Sequence, residues 1–526
     1  MAPSAFDDTL IRSLQQPERF AHPVQSVERI ETHGNWILLA GDFAYKIKKP
    51  VAFDFMDFSS LERRRHFCEE ELRLNQRLAP DIYLRTAAIT GTPTHPVIDG
   101  DGPVFEYAVV MRRFDPAQRL DRRLERGELQ HTDLDALAVD MARFHAALPA
   151  ADADGTFGTP DALRQLVDDN FRDCAPFLEG AEAEALASIR AQAAAQCEAL
   201  YGHLQRRLEQ GFVREGHGDL HLGNLTVYRD RIQAFDCIEF NPALRWIDTA
   251  NDIAFLLMDL RYRGHAAMAA RFRNRYLEWS GDYDAAPLLP FYESYRAMVR
   301  AKVALLSASQ CSAPETVRQQ QDSARRHIRL AQQLLAPRQG QILITCGLSG
   351  SGKSVVAEQL CETLPALRLR SDVERKRLFG LDPLADSGSQ TDAGIYTTAA
   401  TTQLYAHLAR CAQRLAEAGE RVICDATFLQ ETQRTELAQA AEAAGVDFKV
   451  LYVHAPQHVL EARIQQRAQR QDDASEADIA ILHRQLTRAE LPNSSDERVI
   501  AIDTTTALDA EALARRLRPR QPPAPS

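Results

Sequence analysis

The chain has 526 residues, more than one ordinary hydrophobic core accommodates, so several structural units are expected. Hydrophobic residues make up 45% and charged residues 26%, a composition that excludes a disordered chain. The formal net charge of −11, from 62 Lys and Arg against 73 Asp and Glu, excludes a surface coated with cations for nucleic acid, although not a local basic groove. Nine cysteines lie scattered without a CxxC pair, which fits buried thiols in a reducing cytosol better than a disulfide framework. The opening MAPSAFDDTLIRSL lacks a basic stretch followed by an apolar core, so no secretory signal is expected. The strongest apolar run, IAFLLM, is far too short to span a membrane. A cytoplasmic protein without a membrane partner is expected.

Up to about residue 114 the pattern is strand-rich with one strong helix. NWILLAG and DFAYKIKK form a hairpin that turns near Gly41 and Asp42. LERRRHFCEEELRLNQRL is a charged amphipathic helix, and PVFEYAVVMRRF is a further strand. Segments 134–148 and 181–209 are helical and rich in Ala and Leu. A β-rich lobe thus precedes a helical lobe.

HGDLHLGN, residues 217–224, supports two chemistries. On a strand, His217, Asp219 and His221 would share a face and could grip zinc. Asp219 and Asn224 also stand five apart, the Asp-x-x-x-x-Asn spacing of a kinase catalytic loop, where the Asp takes a hydroxyl proton and the Asn holds Mg²⁺. Gly216, Gly218 and Gly223 favour a loop over an extended strand, which weighs against zinc. TVYRDRIQAFDCIEF then predicts a hairpin whose second strand ends at Asp236, a second Mg²⁺ carboxylate. Upstream, Lys46 on a strand and Glu71 on the following helix supply the ammonium and carboxylate that aim at α- and β-phosphates, with Lys48 and Glu70 as close competitors. Taken alone, this Lys/Glu set reads as a solvated helix and a snorkelling lysine; beside Asp219, Asn224 and Asp236 the kinase reading is the better one.

A helical pattern over 314–335 ends at Pro337 and Gly340, which places the main linker at 336–340. The apolar strand 342–346 leads into GLSGSGKS, residues 347–354, a complete G-x-x-x-x-G-K-[ST] opening a helix. Gly347, Gly350 and Gly352 let backbone N–H groups converge on phosphate oxygens; Lys353 reaches the β- and γ-phosphates and Ser354 ligates Mg²⁺. ERVICDAT ends in Asp425, placed to orient Mg²⁺ as a Walker-B Asp does. Asp372 follows another short strand beside Arg375 and Arg377; it can accept the proton of an acceptor hydroxyl, cap a helix starting at Val373, or do both. Arg463 and Arg467, i and i+4, either close over the phosphates or form a solvated basic face. The tail RPRQPPAPS is Pro-rich and is expected to be disordered.

From 341 to 502 these residues resemble the small-molecule and polynucleotide-kinase branch of P-loop kinases, gluconate kinases included. The resemblance implies that Asp372 lies at the acceptor and that Arg463 and Arg467 belong to a lid. From 42 to 306, HGDLHLGN, Asp236 and RWIDTANDIAFLL resemble the aminoglycoside phosphotransferase-like branch of the protein-kinase fold. That resemblance implies a catalytic Asp219 and Mg²⁺ ligands Asn224 and Asp236, with Asp248 and Asp252 structural. One departure stands out: no G-x-G-x-x-G precedes Lys46, and only Gly34 and Gly41 flank the hairpin. The whole chain resembles bacterial two-part proteins that join these halves.

The expected architecture is a bilobal α+β kinase-like domain over 1–336, an α/β P-loop domain with a mainly parallel sheet over 337–515, and a tail over 516–526. The expected function is ATP- and Mg²⁺-dependent phosphoryl transfer to small hydroxylated acceptors by two kinase-type modules. Two alternatives stay open: one module, more readily the N-terminal, binds nucleotide only to regulate the other, or the P-loop half processes nucleic-acid ends. The acidic balance and the lack of an aromatic-basic stripe weigh against nucleic acid as a partner.

Overall fold

Alternating side chains build the first sheet. The structure, a computed structural model, describes residues 5–53, 56–383, 385, 394–470, 478–493 and 495–518. Strands β1 (Val27–Glu31), β2 (Asn35–Ala40), β3 (Phe43–Lys48), β4 (Tyr83–Thr92), β5 (His95–Ile98) and β6 (Glu106–Arg112) pair antiparallel in the order β1-β2-β3-β6-β4-β5. The β2–β3 turn needs Gly41: its φ is +57°, and a Cβ there would stand 2.8 Å from the Pro23 carbonyl oxygen. Successive residues of β3 face opposite sides. Tyr45 and Ile47 join Leu10, Ile11, Leu14, Trp36 and Leu38 in one core. Ala44 faces the other core, with Cys68, Tyr83, Val109 and Met111. Lys46 and Lys48 share the Ala44 face by the same period of two.

That second core is closed by helix α1 (Leu61–Asn75), whose N-terminus is capped by Ser60 accepting the Arg63 N–H at 3.2 Å. Its buried face carries Arg64, Cys68, Glu71, Leu74 and Asn75. Further along, β7 (Leu225–Tyr228) and β8 (Arg231–Ala234) form a hairpin whose turn residues Arg229 and Asp230 both have positive φ, +51° and +59°. The second strand ends two residues before Asp236, earlier than the sequence suggests. Asp236 has φ +64°, and its N–H donates to the Tyr83 hydroxyl at 3.2 Å instead of to a ladder. Helix α2 (Thr249–Tyr262) starts at Asp248, which accepts the Ala250 N–H at 2.8 Å. Asp248 is also held by the buried Arg207, at 2.6 and 2.8 Å.

Contacts gather the chain into two units: Met1–Asp133 with Ala147–Asp259, and Leu134–Ala146 with Leu260–Ser526. The second unit contains α3 (Ala266–Ser280), the long helices Leu289–Gln310 and Pro314–Leu334, and a five-stranded parallel sheet. Its strands are β9 (Gln341–Cys346), β10 (Leu367–Arg370), β11 (Arg421–Asp425), β12 (Asp447–His454) and β13 (Val499–Asp503), in the order β10-β11-β9-β12-β13. All six residues of the central β9 are buried, as a parallel strand covered on both faces requires. Gly340 precedes it where a Cβ would meet the Ala416 carbonyl oxygen at 2.0 Å. Helices α4 (Lys353–Thr363), α5 (Ser371–Leu378), α6 (Thr398–Glu417), α7 (Gln457–Arg470) and α8 (Ile479–Arg488) surround the sheet. The last helix ends at Leu517, and residues 519–526 of the expected tail lie outside the described residues. The fold is an α+β kinase-like part followed by an α/β P-loop part.

Two outcomes follow from buried charge. Asp248→Asn leaves Arg207 buried beside a neutral partner and should cost about 3–5 kcal/mol, read from urea unfolding followed by Trp fluorescence. An unchanged midpoint would show the pair to be dispensable. His407 on α6 faces the Cys411 sulfur at 3.6 Å and the Glu374 carboxylate at 3.2 Å, and together they raise its pKa to about 9. A pKa raised above the unfolded value gives stability that is complete below that value, near 6.5, and lost as pH rises through about 9. The Tm difference between wild type and His407→Gln should therefore be largest near pH 6 (about the unfolded histidine value) and shrink on alkalinisation; a pH-independent difference would refute the ion pair.

Candidate active sites

The first site lies on the Lys46 face of the antiparallel sheet. The Lys46 ammonium contacts Glu71 Oε1 at 2.7 Å and Asp236 Oδ1 at 2.6 Å. Lys48, two residues on and on the same face, takes the other Glu71 oxygen at 2.8 Å and also binds Glu239. The sequence poses Lys46 and Lys48 as competitors for one glutamate; in the fold one carboxylate serves both. Burial works against the charge on Lys46, but Asp236 and Glu71 hold its pKa well above the ordinary lysine value. Burial likewise opposes the Glu71 charge, and Lys46 and Lys48 overcome it, so its pKa lies below the usual carboxyl range. Glu70 points elsewhere, to Arg73 at 2.8 Å and Arg245 at 3.3 Å.

The 217–224 segment is a loop, with a 3₁₀ turn over Leu222–Asn224. Asp252 holds its start, accepting the N–H groups of His217 at 2.8 Å and Gly218 at 2.9 Å. Gly216 is required there, since a Cβ would lie 2.5 Å from Asp252 Oδ2. His217 is buried; its Nδ1 accepts the Asp219 N–H at 3.3 Å and its Nε2 donates to the Phe235 carbonyl at 3.0 Å. Burial pushes its pKa down, which keeps the ring neutral. His221 Nδ1 accepts the Gly223 N–H at 3.0 Å, and its Nε2 faces Asp219 Oδ2 at 3.5 Å. The histidines of the His-x-Asp-x-His spacing thus shape the loop. Asn224 Nδ2 donates to the Asp219 carboxylate at 2.9 Å and to its carbonyl at 3.0 Å. The Asn224 carbonyl accepts the Phe235 N–H at 2.9 Å, which brings Asn224 beside Asp236. Asp219, Asn224, Asp236, Lys46 and Glu71 therefore form one connected set.

The second site opens at the end of β9. Gly347, Gly350 and Gly352 have φ of +151°, +80° and +92°. A Cβ at Gly347 would stand 2.1 Å from the Val453 carbonyl oxygen, and one at Gly350 2.7 Å from that of Leu460. Lys353 Nζ donates to the Leu348 carbonyl at 2.8 Å, and the Ser351 hydroxyl is buried with no hydrogen-bond partner among the described residues. Asp425 is buried at the end of β11, beside β9, and its Oδ1 lies 3.4 Å from Thr345 Oγ1. Asp372 sits in the first turn of α5, which starts at Ser371, so the helix does not begin at Val373 with Asp372 as its cap. Arg375 is buried and donates to the Ile395 carbonyl at 2.8 Å, whereas Arg377 binds Glu374. Arg463 is braced on Thr504, donating to its hydroxyl at 2.8 Å and its carbonyl at 2.7 Å, and lies 3.5 Å from the Gly350 carbonyl. Arg467 lies on α7, and its side chain is outside the described residues.

Three contributors lack a local sequence signal. Glu239 pairs with a lysine 191 positions away, and burial pushes its own pKa up. Gln485 of α8 accepts the N–H of loop residue Ser349 at 2.8 Å. Arg368 of β10 donates to the Ser354 carbonyl at 3.3 Å. The donor sets suit ATP and Mg²⁺: hard oxygen ligands from Asn224 and Asp236 in one site and from Ser354 and Asp425 in the other, each with a lysine for phosphate. The orphaned Ser351 hydroxyl and the glycine cradle fit a phosphate in the second.

Residues 55–289 match the family described as Phosphotransferase enzyme family, and residues 342–492 that described as AAA domain. Uncharacterized proteins of Mycobacterium tuberculosis and Mycobacterium bovis are 32% identical over 470 residues, covering 88% of this chain and 90% of theirs. Among solved structures the chain is similar to the APS kinase of Mycobacterium tuberculosis in complex with AMPPNP and APS (22% identity, 34% of this chain, 96% of that one, TM-score 0.27). It is also similar to an ethanolamine kinase of Plasmodium vivax (11% identity, 60% of this chain, 84% of that one, TM-score 0.39). With both family matches in one chain, and with relatives that align over nearly its whole length, this chain belongs to the family of bacterial two-part proteins that join an aminoglycoside phosphotransferase-like half of protein-kinase fold to a P-loop kinase half.

Proposed function

We propose that both halves are ATP- and Mg²⁺-dependent phosphotransferases acting on small hydroxylated molecules, with the module boundary at 336–340. One observation carries the reading. In each half a lysine fit for phosphate and a carboxylate fit for a metal, far apart in sequence, stand on elements that pack together: Lys46 contacts Asp236 directly, and Lys353 opens the helix after β9 while Asp425 ends β11, the strand paired with β9. Mg²⁺, when bound, offsets the charge of the phosphates.

In the first module Asp219 receives the proton of the acceptor hydroxyl as its oxygen bonds to the γ-phosphorus and the bond to the ADP oxygen breaks. Asn224 keeps the Asp219 carboxylate turned to its task. Lys46, held by Glu71, presents its charge to the α- and β-phosphates. In the second module Asp372 takes the corresponding proton, the glycine-rich loop and Lys353 hold the phosphates, and Arg463 fixes the loop through Thr504 and Gly350. Catalysis of this kind rests on positioning and charge stabilisation. No helix among the described residues is long and apolar enough to cross a membrane, and all nine cysteines are free, eight of them buried, in keeping with a small-molecule enzyme of the cytoplasm.

A second reading has its own observation. The turn between β1 and β2, where a kinase lays a glycine-rich loop over the phosphates, is only Thr32, His33 and Gly34. Gly34 packs under the side chain of Met56, whose Cε would stand 2.9 Å from a Cβ there. A first module without phosphate cover would bind nucleotide and regulate the second.

Lys353→Ala in the full chain should lower P-loop turnover of Mg-ATP by roughly 100-fold, the scale of losing one preorganised transition-state donor. Turnover measured in an Asp236→Ala background, equal with and without Lys353, would remove the assignment. For the first module, Lys353→Ala becomes the background. Asp219→Asn should keep Mg-ATP affinity within about threefold while transfer to a panel of sugars and amino alcohols falls by about 10³. Asp236→Ala should lose both binding and transfer. Equal loss of binding in the two variants would contradict their separate roles, and nucleotide binding without transfer in the parent would select the regulatory reading.

A further inference from the structure

Strand β10 is the edge of the parallel sheet, and an edge leaves backbone donors and acceptors without a ladder partner. Here a helix side chain supplies them. Asn274 of α3 donates from Nδ2 to the Ala366 carbonyl at 2.9 Å and accepts the Arg368 N–H on Oδ1 at 2.7 Å, so one carboxamide stands in for a neighbouring strand. One turn on, Glu278 is 2% exposed and faces three guanidinium groups: Arg275 at 3.1 Å, Arg370 at 3.2 Å and Arg368 at 3.3 Å. Burial opposes its charge, but Arg370, Arg368 and Arg275 hold its pKa below the ordinary carboxyl value.

The contact continues around the corner into α5. The Glu278 carbonyl accepts from Arg377, and Tyr283 donates its hydroxyl proton to Glu374 at 3.0 Å. Gly281 has φ +72°, a left-handed backbone that favours glycine, and the Arg377 side chain packs over it, 2.6 Å from where a Cβ would stand. At the other end of α3, Arg271 reaches α4, the helix that Lys353 and Ser354 open, through Glu358 at 2.6 Å and Glu362 at 3.0 Å. Residues 271–283 thus hold β10, α5 and α4 at once. They belong to the stretch matched by the phosphotransferase family, yet they pack within the same compact unit as the parallel sheet.

We infer that α3 is the acceptor-side wall of the P-loop site, with Glu278 and Asn274 as positioning residues that hold β10 and α5 and thereby place Asp372. The inference rests on the proposed role of Asp372 as proton acceptor. Arg368 extends the same chain of contacts to the phosphate side: it binds Glu278 through one nitrogen and the Ser354 carbonyl through another, at 3.3 Å each. Loss of the Glu278 charge removes the carboxylate that Arg275, Arg368 and Arg370 share, which loosens the hold of α3 on β10. That chain of contacts touches the phosphate loop only at the Ser354 carbonyl; the crowded inner glycines and the Thr504 brace on Ser351 lie outside it.

The test uses the full chain in the Asp236→Ala background, with water as the phosphoryl acceptor. The γ-phosphorus bonds to the water oxygen, the bond to the ADP oxygen breaks, and Asp372 takes the proton. Glu278→Gln should lower kcat for Mg-ATP hydrolysis roughly 10- to 100-fold, the scale of a small misplacement of a reacting group. KM for ATP should stay within about twofold, because the phosphate contacts are intact. Amide hydrogen exchange should accelerate over 366–378 while 341–346 keeps its protection. Asn274→Ala, which deletes the strand-like pairing without touching charge, should act the same way, and Glu278→Asp should recover part of kcat. Unchanged exchange over 366–378 in both variants overturns the inference, as does accelerated exchange with wild-type kcat. Hydrolysis that is indifferent to Lys353→Ala would overturn the P-loop reading instead, and the exchange data would still decide whether α3 holds β10.

Discussion

A single buried carboxylate organises the first half of the molecule. Glu71 is fully buried and carries two lysines, Lys46 and Lys48, one on each oxygen. Taking an ion out of water costs several kcal/mol, and that cost is offset only where pairing is nearly complete. Three segments must therefore meet: β3, which carries the lysines, α1, which carries Glu71, and the 236–239 stretch, which supplies Asp236 and Glu239. The period of two on β3 and the docking of α1 bring both lysines to Glu71, and Asp236, with φ +64°, meets Lys46 beside them. The same arrangement leaves Lys46 charged beside a carboxylate that is itself half-exposed, the condition for a lysine that can turn to phosphate.

The second half solves a different problem. A phosphate loop must bring backbone N–H groups inward, which forbids side chains on its inner glycines, and neighbouring backbone crowds Gly347 and Gly350 from outside. The loop is consequently stiffened by what surrounds it: Thr504 through Arg463, Gln485 on the Ser349 N–H, and the Leu460, Ile464 and Leu482 cluster that packs against Leu348. The first site depends on paired buried charge and the second on backbone geometry.

Local chemistry was legible in the sequence where a motif is short. GLSGSGKS specifies its own turn because each glycine is needed within eight residues, and the Asp219–Asn224 spacing is closed by a hydrogen bond across five positions. Hydrophobic alternation was enough to put Lys46 and Lys48 on one strand, whereas the choice between Glu70 and Glu71 stayed open until the fold turned Glu71 to both lysines and Glu70 to Arg73 and Arg245. The zinc alternative for His217 and His221 arose because spacing alone is silent on where ring nitrogens point; the fold directs them at backbone groups.

What the sequence determined by itself was the class of each half, the phosphate loop and the candidate catalytic groups that lie within a few residues of one another. Only the tertiary structure decided that Glu71 serves two lysines, that Glu239 completes the pairing, and that helix α3 covers the edge of the P-loop sheet. The physical reason is range. Period and spacing report neighbours within a turn or two, whereas Lys48 and Glu239 are 191 residues apart, and Asn274 and Arg368 are 94 apart. Such partners are chosen by the need to satisfy buried charges and strand edges, a requirement that arises only once the chain has folded around them.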